Sequence, residues 1–225
     1  MAEEVTIALV QSPSSLGDVA TNLARLERQC RIAAAGEQPC ACSATHDSRR
    51  PRAQPVAAAA GAKILVLPET AVTGYVSDDL KTNWSIDGRP LNTAFPRSKE
   101  LTAEYAEPAN GASVRHFAQL AVELRCYITV PFIEVDQGVF YTAVSLVGPS
   151  SSDAALAHYR KNCPWPYPEK SWATPGEGVD GAIFDTEYGR VGMAICFDIH
   201  TILRKYRDSG LWALLYPVAW VRDHS

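Results

Sequence analysis

The run Ile64-Leu65-Val66-Leu67, which Pro68 stops, most constrains the fold of this chain. It is apolar at four consecutive positions, so it lacks the alternation that a strand with one solvated face would show. Such a run is typical of a strand that is buried on both faces, as in the sheets of layered α/β proteins. We therefore predict a core strand here, with Glu69 just past its carboxyl end.

The segments around this strand predict a mixed sheet with helices on its faces. Apolar residues recur at helical spacing from Val19 to Cys30, behind Asp18 as a possible N-cap, and again after Asn110-Gly111. Further strands are predicted at residues 5–10, 126–134, 139–147, 155–160, 182–186, 191–195 and 211–216. Hairpin turns are predicted at 136–138 and 187–189, and a helix is predicted after Cys196, up to Ser209. The order favours one α/β domain over residues 1–225.

Composition excludes several classes of partner. The 225 residues carry a net charge of -4, so the chain lacks the basic face that nucleic-acid binding requires. No apolar run reaches the roughly 18 residues of a membrane span, and the amino terminus lacks the basic start of an export signal. We therefore expect a cytoplasmic protein with neither a membrane nor a nucleic acid as partner, whose six scattered cysteines are thiols.

Residues 37–60 interrupt the pattern. They contain Cys40-Ala41-Cys42 and the basic run 49–52, and they separate a predicted helix from a predicted strand that a connection of about 2 to 6 residues would join. We predict that this segment is a solvated, disordered insert.

Three polar residues each follow an apolar strand directly: Glu69, Lys161 and Cys196. Side chains at the carboxyl ends of strands converge in layered α/β proteins. There a carboxylate can take the thiol proton, the thiolate can attack a carbonyl, and an ammonium can hold the developing oxyanion. Taken singly, each residue also has a structural explanation: a small core thiol, a turn acid or a solvated lysine.

The segments that carry these residues resemble the carbon-nitrogen hydrolase (nitrilase) superfamily. The resemblance rests on three ordered motifs: LPETAVTGY at 67–75, HYRKN at 158–162 and GRVGMAICFD at 189–198. It implies an α/β fold, the four-layer α-β-β-α sandwich of that superfamily, and a Glu-Lys-Cys triad. Family domains continue beyond residue 220, so the resemblance also predicts that this domain is incomplete at its carboxyl terminus.

The resemblance also implies a role for each motif residue. Glu69 would be the base for Cys196, and Lys161 with the backbone N–H of Phe197 would stabilise the oxyanion. A thioester on Cys196 would then be hydrolysed, and Glu169 would orient Lys161 or the incoming nucleophile. No cofactor and no metal are implied, the partner is a small-molecule amide, and a homo-oligomer is expected. Lys161→Ala should cripple turnover while leaving the fold intact.

The residues after the nucleophile, Cys196-Phe197-Asp198-Ile199, are similar to amide-cleaving branches such as the pantetheine- and biotin-amide hydrolases. True nitrilases usually have Trp-Glu after this cysteine, so the resemblance favours the amidase-like branch. The secreted branches do not supply a substrate for a chain without an export signal. Tyr75 and Trp220, together with Phe197, are predicted to line the substrate pocket.

Three alternatives remain open at this stage. A catalytically inactive scaffold or interaction protein could keep the fold without turnover. A cysteine-histidine hydrolase would pair Cys196 with His200 or His158, although the local signature of that class is absent. A zinc site could use Cys40, Cys42 and His46, although the spacing is not that of a standard finger.

Overall fold

The computed structural model describes residues 4–36, 61–75, 102–166 and 169–219. The predicted insert at 37–60 lies outside these ranges, and so do Trp220 and the three residues of the candidate zinc site. No helix within the described ranges is long and apolar enough to cross a membrane.

Five strands form the first sheet, in the spatial order β1-β2-β3-β4-β5. They are β1 (Ile7–Leu9), β2 (Ile64–Val66), β3 (Tyr127–Asp136), β4 (Val139–Val147) and β5 (Ala157–Arg160). The first three strands are parallel, whereas β4 runs antiparallel to both β3 and β5. Strand β5 therefore points the same way as β2, so the residues that follow these two strands leave the sheet on the same side.

Strand β2 is buried at all three positions, as its continuous apolar sequence predicts. The β3–β4 hairpin turns at Gln137 and Gly138, which both have positive φ, at 48° and 81°. Two successive residues with positive φ match the right-handed twist of the flanking strands, and glycine adopts this conformation without steric cost. The hairpin predicted at 136–138 is confirmed.

Two helices cover one face of this sheet: α1 (Val19–Ala34) and α2 (Ala112–Leu124). Helix α1 begins as predicted, because the side chain of Asp18 accepts a hydrogen bond from the amide of Thr21. Leu26 of α1 and Phe117 of α2 pack with Leu65 in one buried cluster. A single helical turn at residues 102–105 precedes α2.

A second sheet contains β6 (Phe184–Thr186), β7 (Gly189–Met193) and β8 (Ala213–Leu215). Strands β6 and β7 form the predicted hairpin, and β8 pairs parallel with β7. Val191 and Met193 of β7 pack with Ile64 and Val144 of the first sheet. Each such fully buried side chain contributes about 1.5–3 kcal/mol by leaving water, so this core fixes one sheet against the other.

The outer face of the second sheet is covered by short turns. A Cβ atom at Gly192 would meet Tyr206 and Leu211, which places residues 206–211 over that face. The layers in the described ranges are thus helices, sheet, sheet and turns, and the predicted α/β architecture is confirmed.

The prediction of a helix after Cys196, up to Ser209, is wrong. The structure has two 3-10 helices there, Cys196–His200 and Ile202–Arg204. Thr201 between them has φ at −132°, which no helical turn allows. Two other 3-10 helices, Glu169–Ser171 and Asp180–Ala182, follow β5.

Candidate active site

Glu69 lies in the turn that follows β2, and this turn crosses over the neighbouring strand. The amide of Val72 donates to the carbonyl of Pro131 on β3. From the other side, the buried Asn22 of α1 donates to the carbonyl of Val72 at 3.0 Å. The turn is therefore held between the sheet and α1, and it carries Glu69 toward β4 and β5.

Lys161 follows β5 directly and points into the protein. Its Nζ lies 2.6 Å from Oε1 of Glu69 and 2.5 Å from Oε2 of Glu169, and all three side chains are fully buried. Burial of charged groups is tolerated only where they are paired and hydrogen-bonded. One ammonium between two carboxylates meets that condition and leaves the group with one net negative charge.

Glu169, the first residue of a 3-10 helix, is held by two further donors. The Thr142 hydroxyl donates to Oε1 at 2.6 Å, and the amide of Trp165 donates to Oε2 at 2.6 Å. Thr142 projects from the middle of β4, a rigid part of the first sheet. Glu169 is therefore fixed within hydrogen-bond distance of the Lys161 ammonium.

Cys196 follows β7 and has φ at 42°, a left-handed conformation that is strained for a residue with a Cβ. Its thiol and the Glu69 carboxyl are electrostatic neighbours. The segment after β8 holds its backbone: the Cys196 amide donates to the carbonyl of Pro217 at 3.0 Å, and the Tyr216 hydroxyl donates to the carbonyl of Cys196. The strained conformation is thus fixed from two sides.

Burial dominates the electrostatics of this cluster. Burial, with a further contribution from the Glu169 charge, raises the pKa of Glu69 to about 7, although Lys161 acts in the opposite direction. Burial and then the Glu69 charge raise the pKa of the Cys196 thiol to about 12. Burial would lower the pKa of Lys161, but the charges of Glu69 and Glu169 outweigh it and raise that pKa above its ordinary value.

These shifts assign a resting protonation state. Lys161 is an ammonium ion, and Cys196 is a neutral thiol at neutral pH. Burial and then Glu69 outweigh the Lys161 ammonium, which lowers the pKa of Cys196. A carboxyl with a pKa near 7 is suited to accept a proton at neutral pH.

The structure thus brings together all four residues predicted as catalytic: Glu69, Lys161, Glu169 and Cys196. Tyr75 is buried beside them, since burial and the charges of Glu169 and Glu69 raise its pKa well above the ordinary value. Phe197 directly follows Cys196 in the first turn of a 3-10 helix, where amide groups lack an acceptor within the helix. Trp220 lies outside the described residues.

Two groups of the site were missed in the sequence. Thr142 lies within a predicted strand with no polar pattern around it, and only the tertiary fold brings it to Glu169. The amide of Ala219 donates to Oε2 of Glu69 at 3.1 Å. A backbone donor of this kind cannot be predicted from the type of residue. A third residue, Asp198, stands in the third motif without an assigned role.

Neither candidate histidine is arranged as a partner for the thiol. The ring of His158 is used at both nitrogens: Nδ1 lies 3.0 Å from the Ser145 hydroxyl, and Nε2 lies 2.9 Å from Glu134. The ring of His200 packs edge-on against Phe197, with centroids 4.8 Å apart. His158 also lines a separate cavity of about 490 Å³ at the outer edge of β5, together with Arg160 and Tyr141.

Two solved structures illustrate proteins with the same fold. An amidase from Nesterenkonia sp. AN1 superposes with a TM-score of 0.68 at 18% identity, over 98% of this chain and 69% of that one. Nit3 of Saccharomyces cerevisiae, described as a member of branch 10 of the nitrilase superfamily, superposes with a TM-score of 0.65 at 22% identity, over 96% of this chain and 65% of that one.

Sequence relatives extend the comparison. Omega-amidase NIT2 of Homo sapiens is 30% identical over 177 residues, which cover 73% of this chain and 54% of the relative. An aliphatic nitrilase of Sinorhizobium fredii is 28% identical over 172 residues, which cover 74% of this chain and 53% of the relative. The chain therefore spans about half the length of these relatives. The family model of the carbon-nitrogen hydrolases matches residues 6–218, so this chain belongs to the carbon-nitrogen hydrolase family.

Proposed function

We propose that this protein hydrolyses the carbon–nitrogen bond of a small carboxamide through a thioester on Cys196. The observation that carries this proposal is the position of Glu69. One carboxyl group, with its pKa raised to about 7 chiefly by burial, lies 2.6 Å from the ammonium of Lys161 and is an electrostatic neighbour of the Cys196 thiol. A base, a nucleophile and a fixed cation are the three groups that acyl transfer from an amide requires.

In the first half-reaction, Glu69 accepts the thiol proton while the sulfur of Cys196 attacks the amide carbonyl carbon. The carbonyl oxygen becomes an oxyanion, which the Lys161 ammonium and the backbone N–H of Phe197 stabilise. When this intermediate collapses, the carbon–nitrogen bond breaks and Glu69 returns the proton to the leaving nitrogen. Ammonia or an amine departs, and the acyl group stays on sulfur as a thioester.

In the second half-reaction, water replaces the amine. Glu69 takes one proton from the water as its oxygen attacks the thioester carbon, and the same two donors hold the new oxyanion. The carbon–sulfur bond then breaks, the thiol regains its proton from Glu69, and the carboxylic acid leaves. Lys161 does not act as the base, because the charges of Glu69 and Glu169, against the opposing effect of burial, raise its pKa and keep it protonated.

Glu169 takes part through Lys161 and not through the substrate carbon. Its carboxylate is fixed by Thr142 and by the amide of Trp165, and it lies 2.5 Å from the ammonium. We assign it the task of holding the ammonium in place, which keeps an oxyanion donor preorganised. Such a donor typically contributes about 3 kcal/mol to transition-state stabilisation.

The relatives support amide chemistry over nitrile chemistry only in part, since omega-amidases and nitrilases both match. In solved variants of the Nesterenkonia amidase, the acetamide moiety of fluoroacetamide or an acrylamide is attached to the active-site cysteine of that enzyme. These adducts support a cysteine nucleophile in this family. Homo-oligomeric assembly and a cytoplasmic location stay predictions.

The test is ammonia release from a panel of small aliphatic and ω-carboxyl amides by the 225-residue chain. We expect release with at least one amide and its loss in Cys196→Ala. The control variant Cys126→Ala removes a buried thiol behind α2 and should retain turnover. Folded protein that releases no ammonia from any amide of the panel would instead support the non-catalytic scaffold.

A further inference from the structure

The side chain of Asp198 is fully buried and accepts three hydrogen bonds. Its Oδ1 accepts from the amide of Cys163 at 2.7 Å. Its Oδ2 accepts from the Tyr159 hydroxyl at 2.8 Å and from the amide of Ile195 at 3.0 Å. The mechanism above does not use this carboxyl group.

The three donors lie in the two segments that carry the reacting groups. Tyr159 and Cys163 stand two residues before and two residues after Lys161. Ile195 directly precedes Cys196, and Asp198 itself stands two residues after it. One carboxylate therefore joins both flanks of the lysine to both flanks of the nucleophile.

The tyrosine strengthens this link on the lysine side. Besides donating to Asp198, the Tyr159 hydroxyl accepts a hydrogen bond from the amide of Asn162 at 3.2 Å. The residue after Lys161 is thus tied to the same network. Strand β5 belongs to the first sheet and Cys196 follows a strand of the second, so the network bridges the two sheets at the site.

A buried carboxylate is a costly way to fill a core position. Removing it from water is unfavourable by several kcal/mol unless its oxygens are fully hydrogen-bonded. A hydrophobic side chain of similar size would pack there without that cost. Only an acceptor with two oxygens can hold amides from both segments at once, so the bridge explains the choice of residue.

We propose that Asp198 is a positioning residue that sets the placement of Lys161 relative to Cys196, and this inference rests on the proposed amide hydrolysis. The oxyanion forms on the carbonyl carbon that the sulfur attacks, so its distance from the ammonium depends on how the two segments are held. A misplacement of about 1 Å in such an arrangement reduces turnover about 10²-fold.

Asp198→Asn tests this with almost no change in volume. The amide side chain keeps one acceptor oxygen and replaces the other with an NH2 group, which is a donor. If the side-chain oxygen points toward the Ile195 amide, the NH2 group faces the Cys163 amide. In the reverse orientation, the NH2 group faces the Ile195 amide. Either orientation breaks one half of the bridge.

We expect Asp198→Asn to lower kcat about 10²-fold, with KM close to that of the unchanged protein. Alkylation of Cys196 by iodoacetamide should decrease far less than kcat, because displacement of iodide forms no oxyanion and depends on the ammonium only through the thiol pKa. A merely structural role would lower both rates together with the folded fraction.

The control variant is Glu107→Gln. The Glu107 carboxylate also accepts two hydrogen bonds, from the amide of Ser113 at 2.8 Å and from the Ser113 hydroxyl at 2.6 Å, but it holds the first turn of α2 and not the candidate site. Glu107→Gln should lower the free energy of unfolding and leave kcat unchanged. Tyr159→Phe keeps both amide bonds to Asp198 and should lower kcat less than Asp198→Asn does.

Unchanged kcat in Asp198→Asn would overturn the inference, and so would equal losses of kcat and of Cys196 alkylation. These outcomes differ from a failure of the proposed function itself. In that case the unchanged protein, although folded, would release no ammonia from any amide.

Discussion

Nζ of Lys161 lies 2.6 Å from Oε1 of Glu69, although 92 residues separate the two in the chain. Both side chains are fully buried, and Glu169 contacts the same ammonium. We therefore expect substitutions in this buried group to affect stability and turnover together.

Lys161→Ala should lower the free energy of unfolding by about 3–5 kcal/mol, because it leaves two carboxylates buried without a cation. The sequence-based expectation that the fold would be unaffected is therefore revised by the burial of this residue. Denaturant unfolding at pH 8 measures the loss. The loss should be smaller at pH 5, where Glu69 is protonated, and an equal loss at both pH values would contradict this explanation.

The pH dependence of turnover should reflect Glu69. Since burial chiefly raises its pKa to about 7, kcat/KM should increase as the pH rises through about 7 and should be lost below it, where the base carries a proton. Glu69→Gln should abolish activity, whereas the exposed Glu177→Gln should retain both activity and the profile. A rising limb near the ordinary carboxyl value of 4.5 would contradict this assignment.

The same shift predicts a stability effect with a definite sign. The pKa of Glu69 is higher in the folded protein, where burial raises it to about 7, than its ordinary value of 4.5. The folded state therefore binds this proton more tightly, and the contribution of Glu69 to the free energy of unfolding decreases as pH rises from about 4.5 to about 7. Comparison with Glu69→Gln across this range should reveal the slope, and parallel curves would argue against the shift.

The backbone strain at Cys196 predicts an unusual order of stabilities. Glycine ordinarily destabilises a position relative to alanine, but it adopts positive φ without the steric cost that a Cβ carries. With φ at 42°, Cys196→Gly should be more stable than Cys196→Ala by about 1 kcal/mol, and both should be inactive. Thermal unfolding of the two variants measures the difference, and a more stable alanine variant would show that the backbone is unstrained.

The sequence was sufficient for elements whose signals are local. The β3–β4 hairpin was predicted because Gly138 marks its turn, and α1 was predicted because Asp18 caps it. The segment after Cys196 was predicted wrongly as a helix. There the Asp198 side chain bonds the amide of Ile195, and side chains of this kind compete with regular backbone hydrogen bonds.

The sequence predicted those residues of the site that lie in or near the three motifs. Apolar strands end just before Glu69, Lys161 and Cys196, and side chains at such positions converge. Glu169 was predicted from the resemblance to the family. Thr142 and the amide of Ala219 could not be found this way, because their contacts depend on which strands and loops become neighbours. The raised pKa of the thiol, chiefly due to burial, was likewise invisible in the sequence.

The most direct test of the account is a search for the acyl-enzyme by rapid acid quench and peptide mass spectrometry. An amide that the protein hydrolyses should leave its acyl mass on the peptide that contains Cys196, with loss of the amine, and hydroxylamine should remove that mass. Glu69→Gln should show no such adduct. Hydrolysis without any acyl mass on Cys196, or with the acyl group on Cys163, would contradict the proposed mechanism.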